Sequence, residues 1–427
     1  MPTVPHLAII GAGIAGMYAA WRLDKLGYQV SLFERHGRPG GHTDTHEIED
    51  ATGKLAIDTG FIVFNRRDYP RLSAMFDQLG VRSQPTAMSF SAHDPAAPAW
   101  AYAAGERGGL FANRNNLWSL SHWQMLFDIV RFYRYGKKAD LQHLSGTLGD
   151  LLATDYCASF AHRHLLPMVA ALWSCSIAAA SRYPLRDLIE YMRTHGMLNL
   201  INRPQWETVA GGSARYVDAL QQAWQVQLHC HSAVQQVSQS RCDDSKLAYQ
   251  LKIDGHWHAQ SFDGVIFACA ADQALAMQAA ADAAEQTVLG SISYSDNDTV
   301  LHTDASVMPA QKRCWASWNV RLAADADQLC TASYWMNNLQ RLACPTDYFV
   351  SLNQTALINP ASILQQRCYR HPQYDGASCQ ARRQLAQLET GCQRRWYCGA
   401  WTGWGFHEDG TSSAERVVQA IQQQFSA

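Results

Sequence analysis

The sequence predicts an α/β protein: a Rossmann-like dinucleotide-binding domain assembled from distant stretches of chain, joined to an α+β domain that contains an antiparallel sheet. Three observations predict it. A short apolar strand, His6–Ile10, runs straight into Gly11-Ala12-Gly13-Ile14-Ala15-Gly16 and then into apolar residues at helical spacing from Met17 to Leu26. Far downstream, Asp263–Ala268 is a continuous apolar run of the kind buried inside parallel sheets. Alternating segments at Thr299–Thr303, Cys314–Val320, Leu329–Trp335 and Asp347–Leu352 then carry the signature of a half-buried antiparallel sheet.

Composition bounds the answer. A chain of 427 residues, 47% of them hydrophobic, buries enough surface for two or three domain-sized units. Lysine and arginine total 35 against 37 acidic residues, so no basic field exists to hold a phosphate backbone, and nucleic acid is excluded as a partner. Met1–His6 lacks a basic leader, and the apolar run Leu7–Ala20 is broken by three glycines, which reads as strand and turn. No apolar stretch reaches the ~20 residues that span a bilayer. The expectation is a cytoplasmic protein, with peripheral contact at the inner face of the membrane left open. Its 12 cysteines include no CxxC pair, which suits reduced thiols. His229, Cys230 and His231 read as part of one strand, Val226–Val237, whose neighbouring side chains point to opposite faces, so no metal site is expected there.

Each glycine of the first turn has a mechanical reason. Gly11 permits the tight turn, Gly13 lets a pyrophosphate approach the backbone, and Gly16 lets the helix pack closely on the sheet. A second strand, Gln29–Phe33, ends at Glu34, whose carboxylate can accept from ribose hydroxyls and so favours an unphosphorylated adenosine ribose. A hairpin of Thr45–Ile48 and Leu55–Asp58 follows, turning at Thr52-Gly53 and leading into Thr59-Gly60-Phe61. Gly211-Gly212-Ser213 precedes a helix over Arg215–Trp224, and a last helix is expected over about Thr411–Phe425.

With Arg35-His36-Gly37-Arg38-Pro39-Gly40-Gly41-His42-Thr43 placed just after Glu34, the sequence resembles the flavin-containing amine oxidase and phytoene desaturase superfamily. The resemblance implies a glutathione-reductase-type FAD-binding fold and non-covalent FAD, with Gly40, Gly41, His42 and Thr43 along the diphosphate and ribitol and Gly60 and Phe61 beside the flavin ring. It adds Ile14, Ala15 and Arg35 to the cofactor contacts, Val234 against the adenine, and Gly399, Asp409 and Gly410 at the ring's far edge, where a helix N-terminus stabilises negative charge. It also implies domains of 1–81, 206–273 and 389–427 for FAD, and 82–205 with 274–388 for the substrate, the earlier block helical and the later one a sheet.

A narrower bacterial group, described as predicted NAD/FAD-binding proteins or FAD-dependent oxidoreductases, is similar through Asp58–Asn65 with Tyr69-Pro70, Met88–Phe90, Trp315–Asn319, Tyr334–Asn337 with Leu339-Gln340, His371-Pro372 and Gly405–Gly410. Its association with fatty-acid modification implies an apolar, acyl-lipid-like substrate that gives hydride to flavin N5. A flavin amine oxidase and a redox-neutral double-bond isomerase are the alternatives, with a non-catalytic FAD-dependent scaffold behind them. The chain departs from the superfamily in two places. Ala400 stands where an acidic residue is common, and His302 falls on the strand that presents a lysine to flavin N5 in amine oxidases; Lys312, in a loop, fits that role less well. Candidate catalytic residues are His302, His407, Glu408, Trp335 and Asn337, with Asn65 offering a further amide. Trp315, Trp318, Tyr334, Trp401 and Trp404 are pocket-wall candidates. Each candidate has a plain structural alternative: a satisfied sheet histidine, a helix cap or a loop-fixing amide. Trp118–Arg134 repeats Trp123, Leu126, Phe127, Val130 and Tyr133 at helical spacing and ends in Arg131, Arg134, Lys137 and Lys138. It reads as a core-packed helix with a solvated basic end, or as a lipid-facing entrance.

Overall fold

The computed structural model describes residues 4–98, 100–105, 108–200, 202–241, 247–323, 325–389 and 392–426. The chain starts with β1 (His6–Ile10), crosses the glycine turn into α1 (Ile14–Lys25), and returns in β2 (Gln29–Phe33). A hairpin, β3 (Thr45–Asp50) and β4 (Gly53–Asp58), pairs Thr45 with Asp58 and Asp50 with Gly53. Then come α2 (Pro70–Leu79) and the long α3 (Leu120–Lys138). Much later follow α4 (Ala214–Ala223), β5 (Gln227–His229), β6 (Gly264–Phe267), β7 (Arg395–Tyr397) and the closing α5 (His407–Ser426).

These pieces make one five-stranded parallel sheet in the order β5-β2-β1-β6-β7. Ile9 pairs with Leu32 on one side and Ile266 on the other. Both faces are covered, which is why β1 and β6 read as unbroken apolar runs. On one face Leu7 and Ile9 pack with Met17 and Trp21 of α1 and with Val417, Val418 and Ile421 of α5. On the other, Ala8, Ile10, Val265 and Phe267 meet Val237, Tyr249 and Leu251 from a three-stranded antiparallel sheet. Each fully buried valine or isoleucine of α5 contributes ~1.5–3 kcal/mol of transfer free energy, enough to fix the last helix against the first.

A seven-stranded sheet forms the second layer, in the order Ile363–Pro372, Tyr294–His302, Phe349–Leu352, Thr331–Trp335, Trp318–Arg321, Phe90–His93, Ala101–Ala104. All its pairs are antiparallel except Trp318–Arg321 with Phe90–His93. Helices between residues 120 and 194 pack over it around Phe132, Phe160, Val169, Leu188 and Ile189.

Four expectations change. The segment 82–205 is not helical throughout, because Phe90–His93 and Ala101–Ala104 complete the second sheet. The strand expected over Val226–Val237 breaks after His229, where His231 adopts φ 52°; β5 edges the parallel sheet while Val234–Arg241 joins another. Cys314 lies in a 3-10 turn, so that strand begins only at Trp318. The closing helix starts at His407, which puts His407, Glu408 and Asp409 in its first turn. Among the described residues no helix is long and apolar enough to cross a membrane.

Candidate functional site

The glycine turn shows what it is built to hold. A Cβ on Gly16 would stand 1.9 Å from the Gly11 carbonyl oxygen, so α1 rests its first turn directly on the turn that precedes it. Gly13 caps α1 in an extended conformation, yet no side chain caps the helix and no acid occupies its first turn. Elsewhere this chain does cap its helices: Thr147 with Asp150, Asp282 with Glu285, and Asp375 with Ser378 form reciprocal boxes. A Cβ built on Gly13 would meet nothing within 4 Å. The α1 N-terminus therefore offers orphan N–H groups and a positive dipole end to open space, which suits a diphosphate. Ile14 and Ala15 turn their side chains into the core, leaving backbone on the open side.

The Gly-Gly doublet lies alongside. Gly40 N–H donates to the Ala12 carbonyl at 2.7 Å, and a Cβ on Gly41 would come within 3.0 Å of the Gly13 Cα. Glu34 is buried at the end of β2, its Oε2 accepting from Ala12 N–H at 3.0 Å and its Oε1 from His36 N–H at 2.9 Å. Ser232 N–H donates to the Glu34 carbonyl at 2.8 Å and so starts the strand of Val234 beside that carboxylate. Arg35 is exposed, its Nε on the His36 ring at 3.0 Å. The residues present fit an adenine dinucleotide.

The last helix arrives at the same place. A Cβ on Gly410 would lie 2.9 Å from Ile14 Cγ2, so the N-termini of α1 and α5 converge. Gly399, just beyond β7, is held by its N–H on Ser413 Oγ of α5 at 3.0 Å. Asp409 Oδ2 accepts from Trp404 N–H at 3.0 Å and Phe406 N–H at 2.9 Å, so it shapes the loop before the helix; burial pushes its carboxyl up to about 6. Glu408, a candidate catalytic group, has a different task. Its two oxygens accept from the Arg71 and Leu72 N–H groups, both at 3.0 Å, and close the N-terminus of α2. The His407 ring stacks on Phe61 at 3.7 Å, with Nε2 at 3.2 Å from both Thr43 Oγ1 and Tyr216 Oη. Burial lowers it to about 3, so it is a neutral ring locking the Thr43 segment to α5. Gly60 is fixed by proximity: a Cβ there would stand 1.9 Å from the His42 carbonyl, which accepts from Phe61 N–H at 2.8 Å.

Asp58 ties the layers together. It is fully buried and accepts from Ser213 N–H at 2.9 Å, Ser213 Oγ at 2.8 Å, Thr45 Oγ1 at 2.5 Å and Gln340 Nε2 at 2.9 Å, while its own N–H donates to Gln340 Oε1 at 2.9 Å.

Two histidines pair here. His42 is exposed to solvent. His371 stacks on it at 5.5 Å and 27°, and Tyr369 lies 5.3 Å from it. His371 Nδ1 is buried without a partner. Burial lowers His371 to about 3. Sequence reasoning placed His42 on the cofactor but gave His371 no role; only the pairing of distant strands brings it there.

Three candidates stand elsewhere. On the strand Tyr294–His302, His371 pairs with Ser295, whereas His302 lies seven residues on, about 23 Å away at 3.3 Å per residue. His302 is a buried sheet histidine with Nε2 at 2.8 Å from Ser351 Oγ and Nδ1 accepting from Asp304 N–H at 3.2 Å. Trp335 Nε1 donates to Asp347 at 2.9 Å, and Asn337 is spent on Thr346 O and Tyr348 N–H at 2.7 and 2.8 Å. Asn65 fixes its own loop through Asp68, and Lys312 pairs with Asp347 at 2.7 Å. His229 stacks on Phe33 at 4.8 Å, and among the described residues no cluster of three His, Cys, Asp or Glu could hold a metal ion.

An aromatic wall extends from the α5 loop into the helical layer: Trp404 and Phe406 meet Tyr191, Tyr191 meets Trp173, and Trp173 meets Tyr374. The Arg382 guanidinium lies 4.7 Å from the Tyr374 ring centre and 4.4 Å from that of Trp404. Of this group the sequence singles out Trp404 for the pocket wall and Phe406 within the Gly405–Gly410 motif; Trp173, Tyr191, Tyr374 and Arg382 share no motif with them.

A family model described as an NAD(P)-binding Rossmann-like domain matches residues 9–79. The lysine-specific histone demethylase 1 homolog 1 of Arabidopsis thaliana is 33% identical over 78 residues, 18% of this chain and 9% of that protein. The 4,4'-diaponeurosporene oxygenase of Staphylococcus aureus (strain MRSA252) is 42% identical over 45 residues, 10% of this chain and 9% of that protein. The match thus spans about a tenth of these relatives' length. Solved structures align along nearly the whole chain. A putrescine oxidase bound to putrescine superposes with a TM-score of 0.68 at 12% identity, covering 99% of each chain. Cyclohexylamine oxidase from Brevibacterium oxydans IH-35A gives 0.67 at 14%, covering 100% of each. The CLA-producing fatty acid isomerase from P. acnes gives 0.61 at 13%, covering 99% of each. At these identities the likeness is one of fold.

Proposed function

We propose that the chain, which shares its fold with solved amine oxidases, takes FAD as its dinucleotide and is an FAD-dependent oxidoreductase removing hydride from an apolar, acyl-lipid-like substrate. The observation that carries the reading is the convergence of the α1 and α5 N-termini beside Glu34, the first uncapped and facing open space.

FAD, when bound, supplies the hydride acceptor. The protein's own residues do the rest. The α1 N–H groups and the Gly40–Thr43 segment would hold the diphosphate, Glu34 the ribose hydroxyls, and Val234 the adenine. Gly60 and Phe61 would lie toward the ring, with Gly399 and Gly410 near the α5 N-terminus, whose dipole would favour negative charge. His371 lies beside His42, and burial, which lowers its imidazole to about 3, makes it a neutral wall residue and not a base. In this reading residues 1–81, 206–273 and 389–427 carry the cofactor and 82–205 with 274–388 the substrate.

The position of Arg382 supports the acyl reading over the amine one. An amine substrate would enter the site as an ammonium and seek the faces of aromatic rings; at Tyr374 and Trp404 that position is filled by a guanidinium. The filled slot repels a second cation and leaves an apolar wall, which favours an acyl chain. A redox-neutral double-bond isomerisation is the second reading, supported by the likeness to the fatty acid isomerase.

The test is an anaerobic titration. The purified protein is expected to be yellow, and an unsaturated long-chain acyl substrate to bleach the flavin band while amines leave it unchanged. Product formed without an electron acceptor selects isomerisation. Bleaching by amines alone overturns the acyl reading, and a colourless protein that takes up no FAD overturns the whole.

A further inference from the structure

Helix α3 does not bury the face its sequence suggested. Its inward side carries His122, Met125, Ile129, Phe132, Tyr133 and Gly136. Trp123 and Phe127 point outward, 49% and 68% exposed, in line with Leu120 at 72%. The preceding turn adds Leu117 at 44% and Trp118 at 91%. Five large apolar side chains within eleven residues of chain are exposed, the kind of contiguous patch that marks an interaction surface.

The patch is rigid. Trp123 Nε1 donates to the Leu117 carbonyl at 3.1 Å and its ring meets Phe111 at 5.0 Å, so the outer tryptophan rides on a fixed turn. Ser119 caps the helix by accepting from His122 N–H.

One turn further along the same outward stripe, chemistry switches from apolar to basic: Arg131, Arg134 and Lys138 follow Leu120, Trp123 and Phe127 at helical spacing, with Lys137 beside them and Arg114 at the opposite end. From Gly109 to Ala139 the single acid is Asp128, which is buried, bonded to Cys157 N–H at 2.8 Å and paired with Arg131 at 2.9 Å. Beyond the helix, Asp140 is engaged with His143 at 2.8 Å. Along α3 itself the outer stripe is thus apolar then cationic, with the exposed carboxylates Asp140 and Asp155 only beyond its basic end.

We propose that this surface docks the protein on an anionic lipid bilayer, with Trp118, Leu120 and Phe127 entering the headgroup boundary and Arg134, Lys137 and Lys138 lying on the charged surface. A second copy of the chain would satisfy the apolar half and leave the basic half unused; a bilayer uses both. The inference stands on the surface alone and is independent of the reaction assigned above.

Vesicle co-sedimentation of the full-length protein tests it. Binding is expected to vesicles of phosphatidylcholine with phosphatidylglycerol, to weaken on phosphatidylcholine alone, and to fall with salt. W118S/F127S should lower the affinity at least about tenfold, and K137E/K138E about tenfold on the anionic vesicles. Both variants change exposed residues, so flavin content and melting temperature are expected to stay at wild-type values. Unchanged binding of W118S/F127S overturns the proposal. So does a wild-type dimer, seen by light scattering, that the same variant converts to monomer while vesicles bind neither.

Discussion

Replacing Asp58 by asparagine should make the protein less stable than wild type in acid and more stable at neutral pH. Burial pushes the Asp58 carboxyl from 3.8 up to about 6, the bonds from Thr45 and Ser213 only partly offsetting the loss of water. A carboxyl raised in the folded state holds a proton there that the unfolded chain releases between about pH 4 and pH 6. The associated stability is therefore fully present below about pH 4 and lost as pH rises through about 6. A shift of about 2 units corresponds to about 3 kcal/mol. The amide of D58N does not titrate and carries no such loss. It does set an N–H donor among groups that point their own hydrogens at this position, Ser213 N–H and Gln340 Nε2 foremost, at a cost of about 1–2 kcal/mol at every pH. The two effects predict wild type ahead by that amount at pH 4 and D58N ahead by about 1–2 kcal/mol at pH 7. With about 2.1 cal/mol/K of unfolding entropy per residue, the swing of about 3 kcal/mol over a chain of 427 residues is about 3 °C in Tm. Melting curves of both proteins from pH 4 to pH 7 at equal FAD concentration measure it, and Asp409, raised likewise, cancels in the comparison. A difference in Tm that stays constant across that range refutes the reasoning.

Glu408→Ala removes the cap on α2 and should cost about 1 kcal/mol of stability while leaving the flavin spectrum and anaerobic bleaching rate intact; a loss of rate at unchanged stability would return this residue to the chemistry. Gly16→Ala places a Cβ 1.9 Å from the Gly11 carbonyl and should abolish FAD retention or folding altogether, read from the flavin-to-protein absorbance ratio.

The first strand, glycine turn, first helix and Glu34 were legible because each depends on neighbours in sequence: a buried run, a close approach, a helical period. The two-fold pattern of Thr299–Thr303 likewise gave the strand that holds His302. It could not say which residues of other strands stand beside it, since only pairing sets this: Ile363–Pro372 brings His371 opposite Ser295, seven residues from His302. The same limit hid Phe90–His93, four residues whose parallel partner is Trp318–Arg321, more than two hundred residues later. Helix α3 failed differently. Its period is helical on both sides, and an apolar stripe reads alike whether protein or another apolar medium covers it.

The parallel sheet has a temporal consequence. Its five strands, in the order β5-β2-β1-β6-β7, are drawn from residues 227–229, 29–33, 6–10, 264–267 and 395–397. As the polypeptide leaves the ribosome, the ribbon of β1 and β2 has neither flank paired until residues 227–229 have emerged, and the far edge of β6 stays bare until residues 395–397 follow. Such exposed edges invite pairing with other nascent chains. Production in the cell should accordingly depend on holding chaperones far more than the mature protein's stability would suggest, and slow translation of the middle third should lower the yield of soluble product.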